Sequence, residues 1–117
     1  MNNMPSRSAL IELVTTGIDD NTRQQAVVYV FRELLQPNRS YNMGRKVISA
    51  EQPSVLLFVD LEPGVNWSHQ CLYIVYDGSH IQKIPAEFPP PEQDMLLLVK
   101  PNQVEDWQLL NSEMYNG

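Results

Sequence analysis

The chain has little cysteine and no long apolar run. Cys71 is the single cysteine among 117 residues, so an internal disulfide cannot form. This usage is typical of a reducing compartment. No apolar run approaches about 18 residues, the length expected of a transmembrane helix. The first ten residues lack the charged and apolar segments of a signal peptide. From these features we expect a cytoplasmic protein.

Motifs that hold phosphates or metals are also missing. The five glycines are isolated along the chain, so there is no glycine-rich phosphate loop. Neither a CxxC pair nor an HExxH segment occurs, and these are the common zinc-ligand patterns. The sequence therefore predicts no cofactor and no metal.

Positive charge is scarce beyond residue 46. Residues 47–117 contain two lysines against ten acids, whereas residues 1–46 contain six basic residues and four acids. The acidic part opposes binding to nucleic acid and to membranes, because both surfaces are anionic. One interpretation is an ordinary soluble surface. The alternative is an acidic patch that binds a basic partner, or the basic part of a second copy.

The apolar content predicts one globular domain spanning residues 1–117, with frayed ends at 1–7 and 113–117. Runs at Val55–Val59 and Cys71–Tyr76, a third run after Asp77-Gly78, and Met95–Val99 indicate four strands. An Asp-Gly pair favours a two-residue hairpin turn. That turn would place Tyr76 opposite Ser79, with Leu72, Ile74, Tyr76 and Ile81 on the better core face.

Helices are expected at three places. Residues 8–16 fit either a helix or a strand, and we favour a helix ending at Gly17. A longer helix is predicted from Thr22 to Leu35, because its apolar residues recur at helical spacing after a capping pattern at Asn21. The segment AVVYVF at its centre has strand propensity, which opposes this prediction. A short C-terminal helix is predicted over Gln103–Ser112.

Together these elements predict an α+β fold. It has a mainly antiparallel sheet of about four strands, one long helix in the N-terminal half and a short C-terminal helix. The second face of the sheet would be covered by the C-terminal helix or by another subunit. Residues 37–53 would form a basic connection with a short strand at Lys46–Ser49.

The loop at residues 61–70 is the best candidate site, since long loops often carry function. Asp60, His69 and Cys71 could bind a metal, with His80 as a distant fourth ligand. Cys71 could instead act as a nucleophile with His69 or His80 as its base, but its apolar and acidic surroundings oppose thiolate formation. Asp60 and Glu62 could form a carboxylate pair for acid–base catalysis. Alternatively, Asp60 ends a strand and Glu62 is a solvent-exposed loop residue, with no role in catalysis for either.

The third interpretation of the loop is a binding surface made by Asn66, Trp67 and His69, because tryptophan is enriched at interfaces. Trp67 could equally fold down against the end of the sheet. The proline-rich segment at 85–91 is either a docking motif or a rigid connector, and we favour the connector.

These observations lead us to expect a non-enzymatic binding or adaptor domain. Its partner would be another protein or a second copy of the chain, rather than nucleic acid or membrane. Two alternatives remain, namely a small enzyme using the Asp60–Cys71 region and an inhibitor or immunity-type regulator of a larger enzyme.

Overall fold

A computed structural model describes residues 2–65 and 68–100. Within this part of the chain, two α-helices, seven strands and one 3-10 helix follow in order: α1 (Arg7–Gly17), α2 (Asp20–Arg23), β1 (Val27–Phe31), β2 (Tyr41–Met43), β3 (Lys46–Ile48), β4 (Val55–Asp60), β5 (Cys71–Tyr76), β6 (Ile81–Ala86), the 3-10 helix (Glu92–Asp94) and β7 (Met95–Val99). The fold is α+β, as predicted.

The main sheet is antiparallel and contains five strands in the order β6-β5-β4-β1-β7. All four strands predicted from the sequence are present. The predicted count is one too low because the segment of β1 is predicted as part of a helix. Residues Val55–Val59 of the central strand β4 are all buried, which agrees with the prediction that both faces of this strand are covered.

Helix α1 covers one face of the sheet. Ser6 caps the helix by accepting a hydrogen bond from the backbone N–H of Ala9 at 3.2 Å, and Arg7 donates a hydrogen bond to the carbonyl of Leu98. The helix form predicted for residues 8–16 is confirmed. Gly17 is not a left-handed cap. It lies close to the sheet, and a Cβ added at this position would be only 3.3 Å from Ile74 Cδ1. We call this side of the sheet the helix face; the buried residues it shares with α1 include Leu10, Leu13, Val14, Val28, Val30, Leu57 and Ile74.

The hairpin formed by β2 and β3 covers the other side, which we call the hairpin face. Gly44 and Arg45 at its turn both have positive φ, at 52° and 71°, as a two-residue type I′ turn requires. Met43 and Ile48 pack on the sheet from this hairpin. The sequence predicted cover by a C-terminal helix or another subunit. The C-terminal helix lies outside the described residues, and within them a hairpin in residues 37–53 covers this face. The buried residues of the hairpin face include Phe31, Leu56, Phe58, Cys71, Tyr73, Val75 and Met95.

The helix predicted from Thr22 to Leu35 is wrong. Helix α2 ends at Arg23, and its cap is Asp19, which accepts a hydrogen bond from the backbone N–H of Thr22 at 2.8 Å. The segment Val27–Phe31 is strand β1, between β4 and β7. Its β-branched and aromatic residues face both covered sides of the sheet, an environment that favours a strand over a helix.

The two-residue turn predicted at Asp77-Gly78 is also wrong. Asp77 Oδ1 accepts hydrogen bonds from the backbone N–H groups of Ser79 at 2.8 Å and His80 at 2.7 Å. This arrangement favours a four-residue loop, and Tyr76 pairs with Ile81 instead of Ser79. The predicted core face is confirmed in part. Ile74 is buried in the cluster under α1, with Leu72 and Tyr76 packed against it, although Ile81 is 38% exposed. The opposite face was expected to be mixed, but its Cys71, Tyr73 and Val75 are buried as well.

The segment between β6 and β7 is held against the hairpin. Tyr73 donates a hydrogen bond from its hydroxyl to the carbonyl of Phe88 at 2.9 Å. The Arg45 guanidinium lies 4.1 Å from the centre of the Phe88 ring, a distance at which cation–π attraction operates. These contacts support the interpretation of the proline-rich segment as a connector.

The predicted helix over Gln103–Ser112 lies outside the described residues. In the part of the chain that is described, no helix has the length and apolar character needed to cross a membrane.

Candidate functional site

A cleft of about 580 Å³ opens on the hairpin face, where β4, β1 and β7 lie side by side. Among the described residues that line it, four are polar or ionisable, namely Tyr29, Asp60, His69 and Glu92. The apolar part of the lining includes Phe58, Val65, Met95, Leu97, Pro89 and Pro90. The combination of apolar walls with a few polar groups is typical of a binding site.

Register places three of the lining residues side by side on neighbouring strands. Tyr29 of β1 pairs with Phe58 of β4 on one side and with Leu97 of β7 on the other. Cross-strand partners point to the same face of a sheet. The Tyr29 and Phe58 rings are stacked, with centroids 6.0 Å apart and an interplanar angle of 30°. The floor of the cleft is therefore aromatic and rigidly supported.

Asp60 and His69 form one wall of the cleft. The imidazole Nε2 of His69 is 2.8 Å from Asp60 Oδ1, and their side chains are 3% and 15% exposed. Asp60 Oδ1 also accepts a hydrogen bond from the backbone N–H of Glu62 at 3.0 Å. His69 donates its own backbone N–H to the carbonyl of Glu87 at 2.8 Å. This pair thus ties the candidate loop to the end of β4 and to the residues after β6.

Glu62 closes the same loop. Its carboxylate Oε1 accepts a hydrogen bond from the backbone N–H of Gln70 at 2.6 Å. Asp60 and Glu62 each accept loop backbone N–H groups, so a structural role accounts for both carboxylates. Through these hydrogen bonds the two carboxylates orient the loop.

Cys71 is the cross-strand partner of Asp60, yet it is suited to packing rather than to nucleophilic attack. Its side chain belongs to the buried cluster of the hairpin face, with 3% of the residue exposed. Burial, followed by the nearby charges of Asp60 and Glu87, raises the pKa of the Cys71 thiol to about 11. A thiol of that pKa is protonated at neutral pH, and the protonated form is not the nucleophile.

We expect iodoacetamide to alkylate Cys71 slowly in the folded protein. The raised pKa of Cys71, about 11, lowers the thiolate fraction at neutral pH by about 100-fold relative to an exposed cysteine, and burial slows access further. The rate is measured by mass spectrometry, with the chain unfolded in urea as the control. Equal rates in the two states would contradict the buried, protonated thiol.

The metal site considered from the sequence is not assembled in the described residues, which contain no group of three His, Cys, Asp or Glu side chains able to hold an ion. Asp60 and His69 do come together. His80 lies beyond the opposite end of β5, where its Nδ1 is 3.5 Å from Asp77 Oδ2 and its side chain is 86% exposed. It therefore contributes neither a ligand nor a base to the Asp60–Cys71 region.

The acidic groups of the cleft act on its aromatic floor. Burial first, and then the charges of Asp60 and Glu92, raise the pKa of Tyr29. The phenol is therefore neutral at physiological pH, and two carboxylates are near enough to impose a negative potential on it. A group that enters the cleft meets this potential.

Sequence reasoning identified one wall of the cleft and missed the rest. Asn66 and Trp67, the other predicted binding residues, lie outside the described residues. Tyr29 was missed because its segment is predicted as a helix. Glu92, Met95 and Leu97 were missed because they lie 22 to 27 residues beyond the end of the loop at Gln70. Reading Val27–Phe31 as a strand would have placed Tyr29 on an alternating face, and this was the one available signal.

Comparison of the chain with protein-family models, curated proteins and solved structures found no match.

Proposed function

We propose that this chain is a small protein-binding domain and that it contacts its partner through the cleft floored by Tyr29 and Phe58. The observation that carries the proposal is the composition of this cleft. It combines a stacked aromatic pair with half-buried Leu97 and two carboxylates. Aromatic side chains surrounded by polar groups are characteristic of protein interfaces.

The groups around the cleft support binding more than catalysis. The Cys71 thiol is buried, and its raised pKa keeps it protonated. The His69 side chain is 3% exposed and is hydrogen-bonded to Asp60. A general base must reach the proton that it abstracts, and a ring that is buried to this extent is hardly accessible to a substrate. The carboxylates of Asp60 and Glu62 already accept backbone hydrogen bonds.

Photo-crosslinking tests the proposal even though the identity of the partner is not known. A benzoylphenylalanine placed at Leu97, in the cleft, is expected to crosslink one protein species in cells that express the full chain. The matched control places the same group at Val47, an aliphatic residue of β3 that is 69% exposed and does not line the cleft. Crosslinked bands are identified by mass spectrometry.

The crosslinked mass also separates the candidate partners. A product with the mass of two chains indicates self-association into a homodimer, whereas a different mass indicates another protein, including a larger enzyme that the chain regulates. If Leu97 gives no specific product, or if Leu97 and Val47 give the same products, the cleft is not the binding surface.

A further inference from the structure

We propose that the cleft receives a basic side chain, an arginine or a lysine, from the partner polypeptide. This inference rests on the proposed function and specifies the chemistry of the partner. It follows from three features of the cleft, namely the signs of its charges, its aromatic floor and the shape of its apolar wall.

The charged side chains that line the cleft are predominantly acidic. Asp60 and Glu92 line it, and its lining within the described part of the chain includes no lysine or arginine. His69 is the one group of that lining able to carry positive charge, and its ring is 2.8 Å from Asp60. Among the described residues, Glu92 makes no ion pair. A cation entering the cleft would therefore gain a carboxylate partner without displacing an existing one.

The floor of the cleft also suits a cation. Tyr29 lines the cleft as a half-buried residue, and the face of an aromatic ring attracts ammonium and guanidinium groups. The raised pKa of Tyr29, caused by burial and by Asp60 and Glu92, is consistent with a negative potential at this floor. An anionic side chain would be repelled there, and a neutral apolar one would give Glu92 no ion-pair partner.

The wall made by Met95 and Leu97 offers an apolar surface for the aliphatic part of the basic side chain. Lysine and arginine carry long aliphatic stems that pack on apolar surface while the charged head reaches a polar group. In the cleft, the stem would lie along Met95 and Leu97 and the head would lie between Tyr29 and Glu92. A small inorganic cation would not use this apolar wall, so a basic side chain fits the lining better.

The test uses NMR titration of the full chain, labelled with ¹⁵N, with the peptide Ac-Ala-Ala-Arg-Ala-Ala-NH₂. The expected result is a saturable shift of the backbone amide signals of Tyr29 and Leu97. The same peptide with citrulline in place of arginine has nearly the same shape without the charge, and it should bind at least about fivefold more weakly. Raising the NaCl concentration from about 0.02 to about 0.3 M should weaken the arginine peptide selectively.

Matched variants locate the effect. Glu92→Gln removes one of the two carboxylates of the cleft while keeping the size of the side chain, and it is expected to weaken binding of the arginine peptide by about fivefold. Glu12→Gln removes the same charge from an exposed position on α1, across the sheet from the cleft, and should have little effect. Unchanged ¹⁵N spectra elsewhere in both variants establish that they are folded.

The outcomes separate this inference from the proposed function. Equal binding of the arginine and citrulline peptides, or equal effects of Glu92→Gln and Glu12→Gln, would overturn the basic-ligand inference. If the Leu97 crosslink is nevertheless specific, the proposed binding function stands without it. Loss of both the crosslink and the peptide shifts would overturn the two together.

Discussion

Replacing Gly44 with alanine is expected to lower the free energy of unfolding by about 3 kcal/mol. A Cβ at this position would lie 2.0 Å from the carbonyl oxygen of Phe88 and 2.7 Å from the hydroxyl of Tyr73. Both atoms are held in place, because they are hydrogen-bonded to each other at 2.9 Å. The added methyl group must therefore push the hairpin away from the sheet.

The measurement is equilibrium unfolding in urea followed by circular dichroism. Gly64→Ala is the matched control, since Gly64 also has positive φ, at 96°, but a Cβ there meets nothing within 4 Å. The control removes the same conformational freedom without the clash, and it should cost about 1 kcal/mol. Equal losses in the two variants would show that backbone conformation, and not the close approach to Phe88, decides the effect.

The second large loss of stability is expected from truncating either of two adjacent leucines whose side chains lie on opposite faces of the sheet. Leu56 and Leu57 are neighbours on the central strand β4, and each is fully buried. Leu57 belongs to the cluster under α1, and Leu56 belongs to the cluster under the β2–β3 hairpin. Each change to alanine should lower the free energy of unfolding by about 3 kcal/mol, because each leaves a cavity in a packed core.

The same urea experiment checks this expectation, with Val47→Ala as the control. Val47 is 69% exposed, and its truncation should change the stability by less than about 0.5 kcal/mol. A small loss for Leu56→Ala beside a large loss for Leu57→Ala would mean that the hairpin does not seal its face. The two leucines therefore report separately on the two covers of one strand.

The four predicted strands and the first helix show how far local pattern carries. Unbroken apolar runs such as Val55–Val59 identify a buried strand because both faces of a central strand are hidden from water. The spacing of Leu10, Leu13 and Val14 identifies α1 in the same local way. The pattern of such an element is the same whatever its neighbours in space are.

Val27–Phe31 shows where local pattern fails. Its residues fit helical spacing as well as strand composition, and good helix formers flank it. Tertiary structure favours the strand, because β1 lies between β4 and β7 and forms backbone hydrogen bonds along both of its edges. The predicted register of the β5–β6 hairpin was wrong for a related reason. The Asp77 side chain accepts hydrogen bonds from two backbone N–H groups and thereby favours a longer loop.

The candidate site divides in the same way. The loop with Asp60 and His69 was identified from sequence, since residues close along the chain stay close in space. Tyr29 and Glu92 reach the site from segments on either side of that loop. Antiparallel pairing of β1 with β4 and β7 brings Tyr29 there, and Glu92 lies in the 3-10 helix that precedes β7.

By itself, the sequence determined the class of the fold, the buried central strands, the acidic character and the loop that carries half of the site. Each of these depends on composition or on the period of apolar residues. The tertiary structure alone decided that Val27–Phe31 is a strand, that a hairpin covers the second face, and that the charges of Asp60 and Glu92 act on Tyr29. Pairing partners, burial on both faces and the field of distant carboxylates arise only when segments far apart in the chain meet.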